Sequence, residues 1–314
     1  HGLEARLYPV DETRANIEVG ASDGQARILF LGHIDTVPAF DIEHYSLDER
    51  DGLCYGLGTA DMKSGCAAML EAFLTTAQQQ GLPDGVVLSL VVGEEETGDG
   101  TQALLESHEF DYAVVAEPTN LQPCMEHYGY VEMLVRTSGY RRHAAMSDRE
   151  TNAIRSMLRF LLRMEDRIDE ESETVLNIRD LHSSESGFAA PDRCTAGLDL
   201  HIPPALDAGE YAEELAAFAQ SVLSQTTAAD HAVDFPTVAD GYRIADDGLL
   251  AQRLRALFGA RGWAWAPAAF RSHSDANLLH AAGCKPLILG PGQLSRAHTR
   301  DESVAFEQVA SAAQ

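Results

Sequence analysis

Residues 27–36 read RILFLGHIDT, in which the apolar run at 27–31 leads into a histidine and an aspartate. A short apolar run bounded by turn residues is typical of a buried strand. His33 and Asp35 are two residues apart, so an extended backbone places both side chains on one side. The run predicts a strand that carries two chemically active side chains to its carboxyl end. The alternative is a surface histidine beside a turn aspartate.

Similar apolar runs recur along the chain, at residues 86–92, 112–116 and 286–289. Helical patterns lie between them, at residues 64–79 and 101–107. This alternation of strands and helices predicts an α/β layer with a largely parallel sheet. In such a sheet, ligand-binding residues collect at the carboxyl ends of the strands.

The middle of the chain follows a different pattern, with two strand-like stretches and two amphipathic helices. They lie at residues 130–137, 195–202, 152–166 and 208–223. This α+β pattern has the size of a small domain. Beyond residue 234 the α/β alternation returns, with a helix near residues 247–260. We therefore expect an α/β domain formed by residues 1–121 and 234–314, interrupted by an inserted α+β domain at residues 122–233.

The composition excludes one broad class of function. The chain has 314 residues, with 23 Lys plus Arg against 49 Asp plus Glu, and a formal net charge of −26. A chain this acidic is not a phosphate-tracking nucleic-acid binder. Its apolar runs are too short for a membrane span, and nothing reads as a signal peptide. Five cysteines without a C-x-x-C pair predict reduced thiols, so we expect a cytoplasmic protein without membrane partners.

Five segments at strand ends or turns carry a histidine or carboxylates. They contain His33, Asp61 in the Gly-rich turn 56–65, the triplet Glu94-Glu95-Glu96, Glu117, and His298 beyond Gly290-Pro291-Gly292. Alone, each has an ordinary alternative, such as a helix N-cap for Asp61 or a solvated acidic loop for the triplet. Three carboxylates at a strand end are costly unless they are solvated, protonated or neutralised by cations. Two histidines and several carboxylates without a cysteine suit zinc, cobalt or manganese.

The motifs resemble those of the two-metal aminoacylases and carboxypeptidases, which include acetylornithine deacetylase and succinyl-diaminopimelate desuccinylase. The resemblance covers nearly the whole chain and rests on Gly32-His33-Ile34-Asp35-Thr36-Val37-Pro38, Asp61-Met62-Lys63, the Glu-Glu pair before Thr97-Gly98, Glu117-Pro118-Thr119, and Gly290-Pro291-Gly292 with His298-Thr299. It implies a mainly parallel metallopeptidase catalytic domain and an inserted lid or dimerisation domain. The family normally has a further helical segment before this starting point, so we expect an N-terminal piece to be missing.

The resemblance also implies a set of metal ligands. Asp61 is expected to bridge two zinc ions, in whose place cobalt or manganese could bind. His33 and Glu117 would complete one metal site, and Glu96 and His298 would complete the other. The peptide bond after the bridging aspartate is often cis in this family, which here is Asp61–Met62.

The catalytic residues implied by the resemblance are Glu95 as general base and Asp35, which orients the imidazole of His33. This assignment aligns Glu95-Glu96-Thr97-Gly98 with the family's Glu-Glu-x-Gly. A second register remains open, in which Glu94 is the base and Glu95 the metal ligand.

The inserted domain contributes one further candidate, His143. The segment from Gly139 to Ala145 resembles the family's Gly-x-x-x-His segment, whose histidine in dimeric relatives reaches the partner's active site and stabilises the oxyanion. The resemblance thus implies a homodimer; the alternative is a solvent-exposed lid histidine. His201 stands where relatives tend to have arginine, and Arg271 is either its replacement in binding a substrate carboxylate or a structural arginine.

We therefore expect a two-zinc amidohydrolase that removes the acyl group from an N-acyl amino acid, as acetylornithine deacetylase does. A metallo-dipeptidase or carboxypeptidase of the same family is the enzymatic alternative, because the bond and the water activation are the same. An inert relative that binds metal or peptide is the non-enzymatic alternative.

Overall fold

The computed structural model describes residues 3–20, 27–38, 46–148, 152–226 and 229–314. The chain divides into two compact units, the first made of His1–Glu126, Arg243–Phe270 and Ser274–Gln314, and the second of His127–Tyr242 and Arg271–His273. The chain crosses between them a few residues later than the expected boundaries at 121 and 233. At the first crossing β8 still pairs in the first unit's sheet, and before the second crossing β12 and β13 still pair with β9 in the second unit's sheet. The return of Arg271–His273 to the second unit was not predicted.

The described strands are β1 (Ala5–Pro9), β2 (Ala15–Gly20), β3 (Ile28–His33), β4 (Asp48–Arg50), β5 (Leu53–Tyr55), β6 (Val86–Val91), β7 (Tyr112–Val115), β8 (Cys124–His127), β9 (Gly129–Ser138), β10 (Val175–Ser183), β11 (Arg193–Ile202), β12 (Asp230–Asp234), β13 (Val238–Ala239), β14 (Tyr242–Arg243), β15 (Ala268–Phe270), β16 (Lys285–Ile288) and β17 (Ser303–Ala305). The described helices are α1 (Ser64–Gln80), α2 (Asp99–Ser107), α3 (Ala153–Asp169), α4 (Ala208–Ser224), α5 (Leu249–Ala260), α6 (Asp275–Ala281) and α7 (Phe306–Ala313). None of these helices is long and apolar enough to cross a bilayer.

The first unit is built on a sheet with the order β1-β2-β6-β3-β7-β16-β8-β14, and β15 pairs with β8. At its centre β3 runs parallel to β6 and β7, and β16 runs parallel to β7. The mainly parallel sheet predicted from the apolar runs is therefore confirmed. Leu29, Leu31, Leu88 and Val115 are buried, because parallel strands are typically covered on both faces. A small second sheet has the order β17-β5-β4.

The second unit contains an antiparallel sheet with the order β10-β11-β9-β12, and β13 also pairs with β9. Side chains along β9 alternate between buried and more exposed, because successive residues of a strand point to opposite faces. Its core includes Phe160 of α3, Leu215 of α4 and Leu198 of β11. β10 pairs with β11 and forms one end of this strand order.

Candidate metal centre

Five segments that are distant in sequence meet within the first unit. β3 ends at His33, the acidic triplet follows β6, and Glu117 follows β7. Asp61 lies in the turn before α1, and His298 lies beyond β16. The three parallel strands point the same way, so the residues that follow them collect at one edge of the sheet. The predicted convergence at the strand ends has this topological cause.

His33, Asp61 and Glu117 form a first group whose ligand atoms lie within 4.8 Å of one another. His33 Nε2 is 3.3 Å from Asp61 Oδ1 and 3.9 Å from Glu117 Oε1. All three side chains are buried. Three of the five ligands implied by the sequence are thus brought together.

Asp61, Glu95 and His298 form a second group of the same kind. His298 Nε2 is 3.4 Å from Asp61 Oδ2 and 3.1 Å from Glu95 Oε1. Asp61 thereby presents one carboxylate oxygen to each group, which is the arrangement of a bridging ligand. The Asp61–Met62 peptide bond is cis, as the resemblance implied.

In the acidic triplet, the side chains near the cluster are those that the alternative register requires. Glu94 and Glu95 lie together with His33 in one group of ligand-capable side chains. The side chain of Glu96 is exposed. The N–H groups of Glu96, Thr97 and Gly98 donate to the carbonyl of Gly93, which curls the backbone into a tight turn. Glu96 is not brought to the site, and Glu95 takes the place expected for it.

Asp35 lies behind the first group, where the sequence placed it. Its Oδ1 is 3.5 Å from His33 Nδ1, on the side of the ring opposite the cluster. Its Oδ2 accepts a hydrogen bond of 3.1 Å from the N–H of Glu95. One carboxylate therefore faces the imidazole of β3 and holds the backbone that carries Glu95.

The protein without metal carries an electrostatic conflict at this site. Burial, together with the negative charge of Asp61, holds the pKa of Glu117 well above its ordinary range. Burial and the nearby carboxylates of Asp275 and Glu95 do the same to the pKa of Glu94. Contacts with Asp61 and then Glu95 raise the pKa of His298 to about 10. In the absence of a cation, bound protons therefore neutralise part of the negative charge of the cluster.

The donor set fits two divalent cations. Glu117 Oε1 is buried and, among the described residues, has no hydrogen-bond partner, so it is free to coordinate a cation. Three carboxylates and two imidazoles without a thiolate suit zinc, cobalt or manganese. Three ligand carboxylates give −3 and two divalent ions give +4, so binding removes the mutual repulsion.

Glu302 is a residue beside the site for which the sequence predicted no role. Its buried carboxylate accepts backbone hydrogen bonds from the turn that carries Asp61. The sequence offers only a weak signal for this role. Glu302 is an acidic residue directly before a short apolar strand, four positions after His298.

The remaining predicted residues belong to the second unit, which contains none of the metal-capable groups found among the described residues. His143 is exposed, and its Nδ1 accepts a hydrogen bond of 3.2 Å from the N–H of Ala145. Burial lowers the pKa of His201. The guanidinium of Arg271 lies 5.5 Å from the centre of the Tyr128 ring. The catalytic role of His143 stays a prediction.

Solved structures with the same fold include a tripeptidase from Staphylococcus aureus, with a TM-score of 0.80 and 19% identity over 99% of this chain and 86% of that one. Human carnosine dipeptidase 1 matches with a TM-score of 0.76 and 14% identity over 99% of this chain and 85% of that one. Among curated proteins, an acetylornithine deacetylase from Klebsiella pneumoniae (strain 342) is 29% identical over 96% of this chain and 82% of its own length.

The family description "Peptidase family M20/M25/M40" matches residues 29–314, which include every residue of the two ligand groups. This match covers well over half of the chain and agrees with the fold and the donor set. The chain belongs to peptidase family M20/M25/M40 and is a metal-dependent hydrolase.

Proposed function

We propose that this protein is a two-metal amidohydrolase that releases the acyl group of an N-acyl amino acid. The observation that carries the proposal is the position of Asp61, whose two carboxylate oxygens face two separate ligand groups. The similarity to an acetylornithine deacetylase supports the deacylase over the peptidases. The similarity in fold to a tripeptidase and a dipeptidase keeps peptide hydrolysis as the alternative.

The ligand assignment follows the geometry. His33, Asp61 and Glu117 would hold one cation, and Asp61, Glu95 and His298 the other, with zinc as the first choice and cobalt or manganese as substitutes. When bound, two such cations supply Lewis-acid activation of a water molecule and of the substrate carbonyl.

Glu94 replaces Glu95 as the proposed general base. Its carboxylate lies in a group with His33 and Glu95, and so beside a ligand of each cation. It accepts a proton from the attacking water and passes it to the nitrogen of the leaving amine. Asp35 keeps the imidazole of His33 facing the cluster.

A substrate panel tests the proposed function. Purified protein loaded separately with zinc, cobalt or manganese is assayed with N-acetyl and N-succinyl amino acids and with dipeptides. We expect kcat/KM to be highest for an acyl amino acid, and activity to disappear with a chelator. Preference for dipeptides would favour the peptidase alternative. Full metal loading without turnover of any compound would favour an inert relative.

We also propose a homodimer formed through the second unit. On α3, Leu158 and Leu162 are four residues apart, and 46% and 61% of their surfaces are exposed. Leu162 and Val175 of β10 line one groove between helix and strand. Exposed apolar side chains beside the end strand of a sheet are typical of a surface where a second copy adds to the sheet.

The double substitution Leu158→Lys and Leu162→Lys is expected to give a monomer in analytical ultracentrifugation. In a dimer each lysine would bury its charge in the interface with the second copy of the chain, which is unfavourable. Leu7→Lys, on β1 of the first unit and 70% exposed in the wild type, is the matched control and should leave the assembly unchanged. If His143 acts across the interface, the monomer should bind both cations but lose turnover. A monomeric wild-type protein would contradict the proposal.

We infer a reducing, cytoplasmic location from the thiols. All five cysteines are free, and Cys66, Cys124, Cys194 and Cys284 are buried. Free buried thiols are the usual state in a compartment that keeps cysteine reduced.

A further inference from the structure

Glu302 stands out among the carboxylates of the first unit because its bonds all run to backbone. Only 1% of its surface is exposed. Its Oε1 accepts hydrogen bonds from the N–H groups of Ala60 at 2.8 Å and Asp61 at 3.0 Å, and its Oε2 accepts one from Gly58 at 3.0 Å. One side chain therefore satisfies three donors of the turn before α1.

The backbone of this turn is non-helical where it donates to Glu302. Asp61 has φ −116° and ψ 97°, so its backbone is not helical, although it lies one turn before α1. The N–H groups of Ala60 and Asp61 are directed to Glu302, and both residues are buried. Buried donors without an acceptor are costly, so removing the carboxylate would favour another backbone path.

The backbone of Glu302 is itself held by hydrogen bonds at its N–H and at its carbonyl. Its carbonyl accepts a hydrogen bond of 3.1 Å from Gly56, and its N–H donates to the carbonyl of Thr299 at 3.1 Å. It leads directly into β17, which pairs with β5 just before the same turn. His298 lies four residues earlier on this segment. Glu302 therefore connects the backbone that carries His298 with the backbone that carries Asp61.

We propose that Glu302 is a positioning residue that sets the carboxylate of Asp61 relative to the imidazole of His298. The proposal rests on the two-cation site proposed above. Both residues belong to the second ligand group, and Asp61 also belongs to the first. A carboxylate that bridges two cations must present both oxygens at fixed angles, and a shift of its backbone displaces both. Residues that orient metal ligands typically contribute about 10- to 100-fold in metal affinity or activity.

The test compares Glu302→Gln with Asp301→Asn. The glutamine keeps one oxygen for Ala60 and Asp61 but turns an N–H₂ group toward the N–H of Gly58. Asp301 is the exposed neighbour on the same segment, so its substitution removes the same charge without these bonds. The measurements are the affinities for two cobalt ions, the visible absorption spectrum of bound cobalt, the melting temperature of the metal-free protein, and kcat and KM.

For Glu302→Gln we expect about 10- to 100-fold weaker cobalt binding at one or both positions, a changed cobalt spectrum, and a lower kcat with little change in KM. Glu302→Asp should restore part of the affinity, and Asp301→Asn should match the wild type. Wild-type cobalt affinities and spectrum in Glu302→Gln, with only a lower melting temperature, would overturn the proposal. If the wild-type protein binds two cations but hydrolyses no acyl amino acid, the proposed function fails, while the cobalt data still judge Glu302.

Discussion

Glu94→Gln is expected to lower kcat by about 10²- to 10⁴-fold while two metal ions per chain remain bound. Glutamine keeps the shape of the side chain but cannot accept a proton from the attacking water. Glu94 lies beside His33 and Glu95 without belonging to either of the groups built on Asp61, so its loss should leave the cations in place. The measurements are steady-state kinetics and metal content by mass spectrometry of the same preparation.

The two neighbouring glutamates supply the controls. Glu95→Gln should lose the cation that Glu95 shares with His298, since a neutral amide oxygen is a weaker ligand than a carboxylate. Glu96→Gln, which alters an exposed side chain, should keep both metal content and kcat. If Glu96→Gln lost a cation and Glu94→Gln stayed active, the register first inferred from Glu95-Glu96-Thr97-Gly98 would be the correct one.

Removal of the metal is expected to abolish activity, and reloading is expected to weaken steeply as the pH falls. In the metal-free protein Asp61 and Glu95 raise the pKa of His298 to about 10, and Asp35 and Asp61 hold the pKa of His33 well above its ordinary value despite burial. Only the neutral imidazole binds metal, so both rings must release a proton. Because the ring of His298 releases one proton when it binds its cation, the affinity for that cation should fall about 10-fold for each pH unit below this pKa.

Calorimetric titration of zinc in buffers of different ionisation enthalpy measures the protons released. The experiment runs from pH 6 to pH 8, below the pKa of His298 throughout, so proton release should persist across that range. His182→Gln changes an exposed histidine of the second unit and should leave the proton count unchanged. Affinity that does not vary with pH would show that the imidazoles are already neutral in the metal-free protein.

Local patterns predicted most of the catalytic unit. The apolar runs at residues 27–31, 86–92, 112–116 and 286–289 correspond to β3, β6, β7 and β16, with ends displaced by at most two residues. A buried parallel strand needs a short apolar run, and the chemistry that follows each run is read directly from the sequence. For this reason the convergence of His33, the acidic triplet and Glu117 could be anticipated from the sequence alone, whereas Asp61 and His298 were added by the other motifs of the resemblance.

The register of the acidic triplet could not be read in this way. Three consecutive glutamates are chemically equivalent, and the choice among them depends on the turn closed on the carbonyl of Gly93 and on the bond from Glu95 to Asp35. The role of Glu302 was hidden for a related reason. Its partners Gly58, Ala60 and Asp61 lie more than 240 residues away and contribute backbone N–H groups, which every residue except proline has.

The sequence alone thus specified the α/β sheet, the inserted α+β unit and the types of ligand, because apolar periodicity and side-chain chemistry are local properties. Tertiary packing turned Glu95 toward the cluster and Glu96 toward the solvent, placed Asp61 between the two groups, and joined the turn before α1 to Glu302. These outcomes depend on distances between segments that meet only after folding, where identical side chains differ by whether they face the cluster or the solvent.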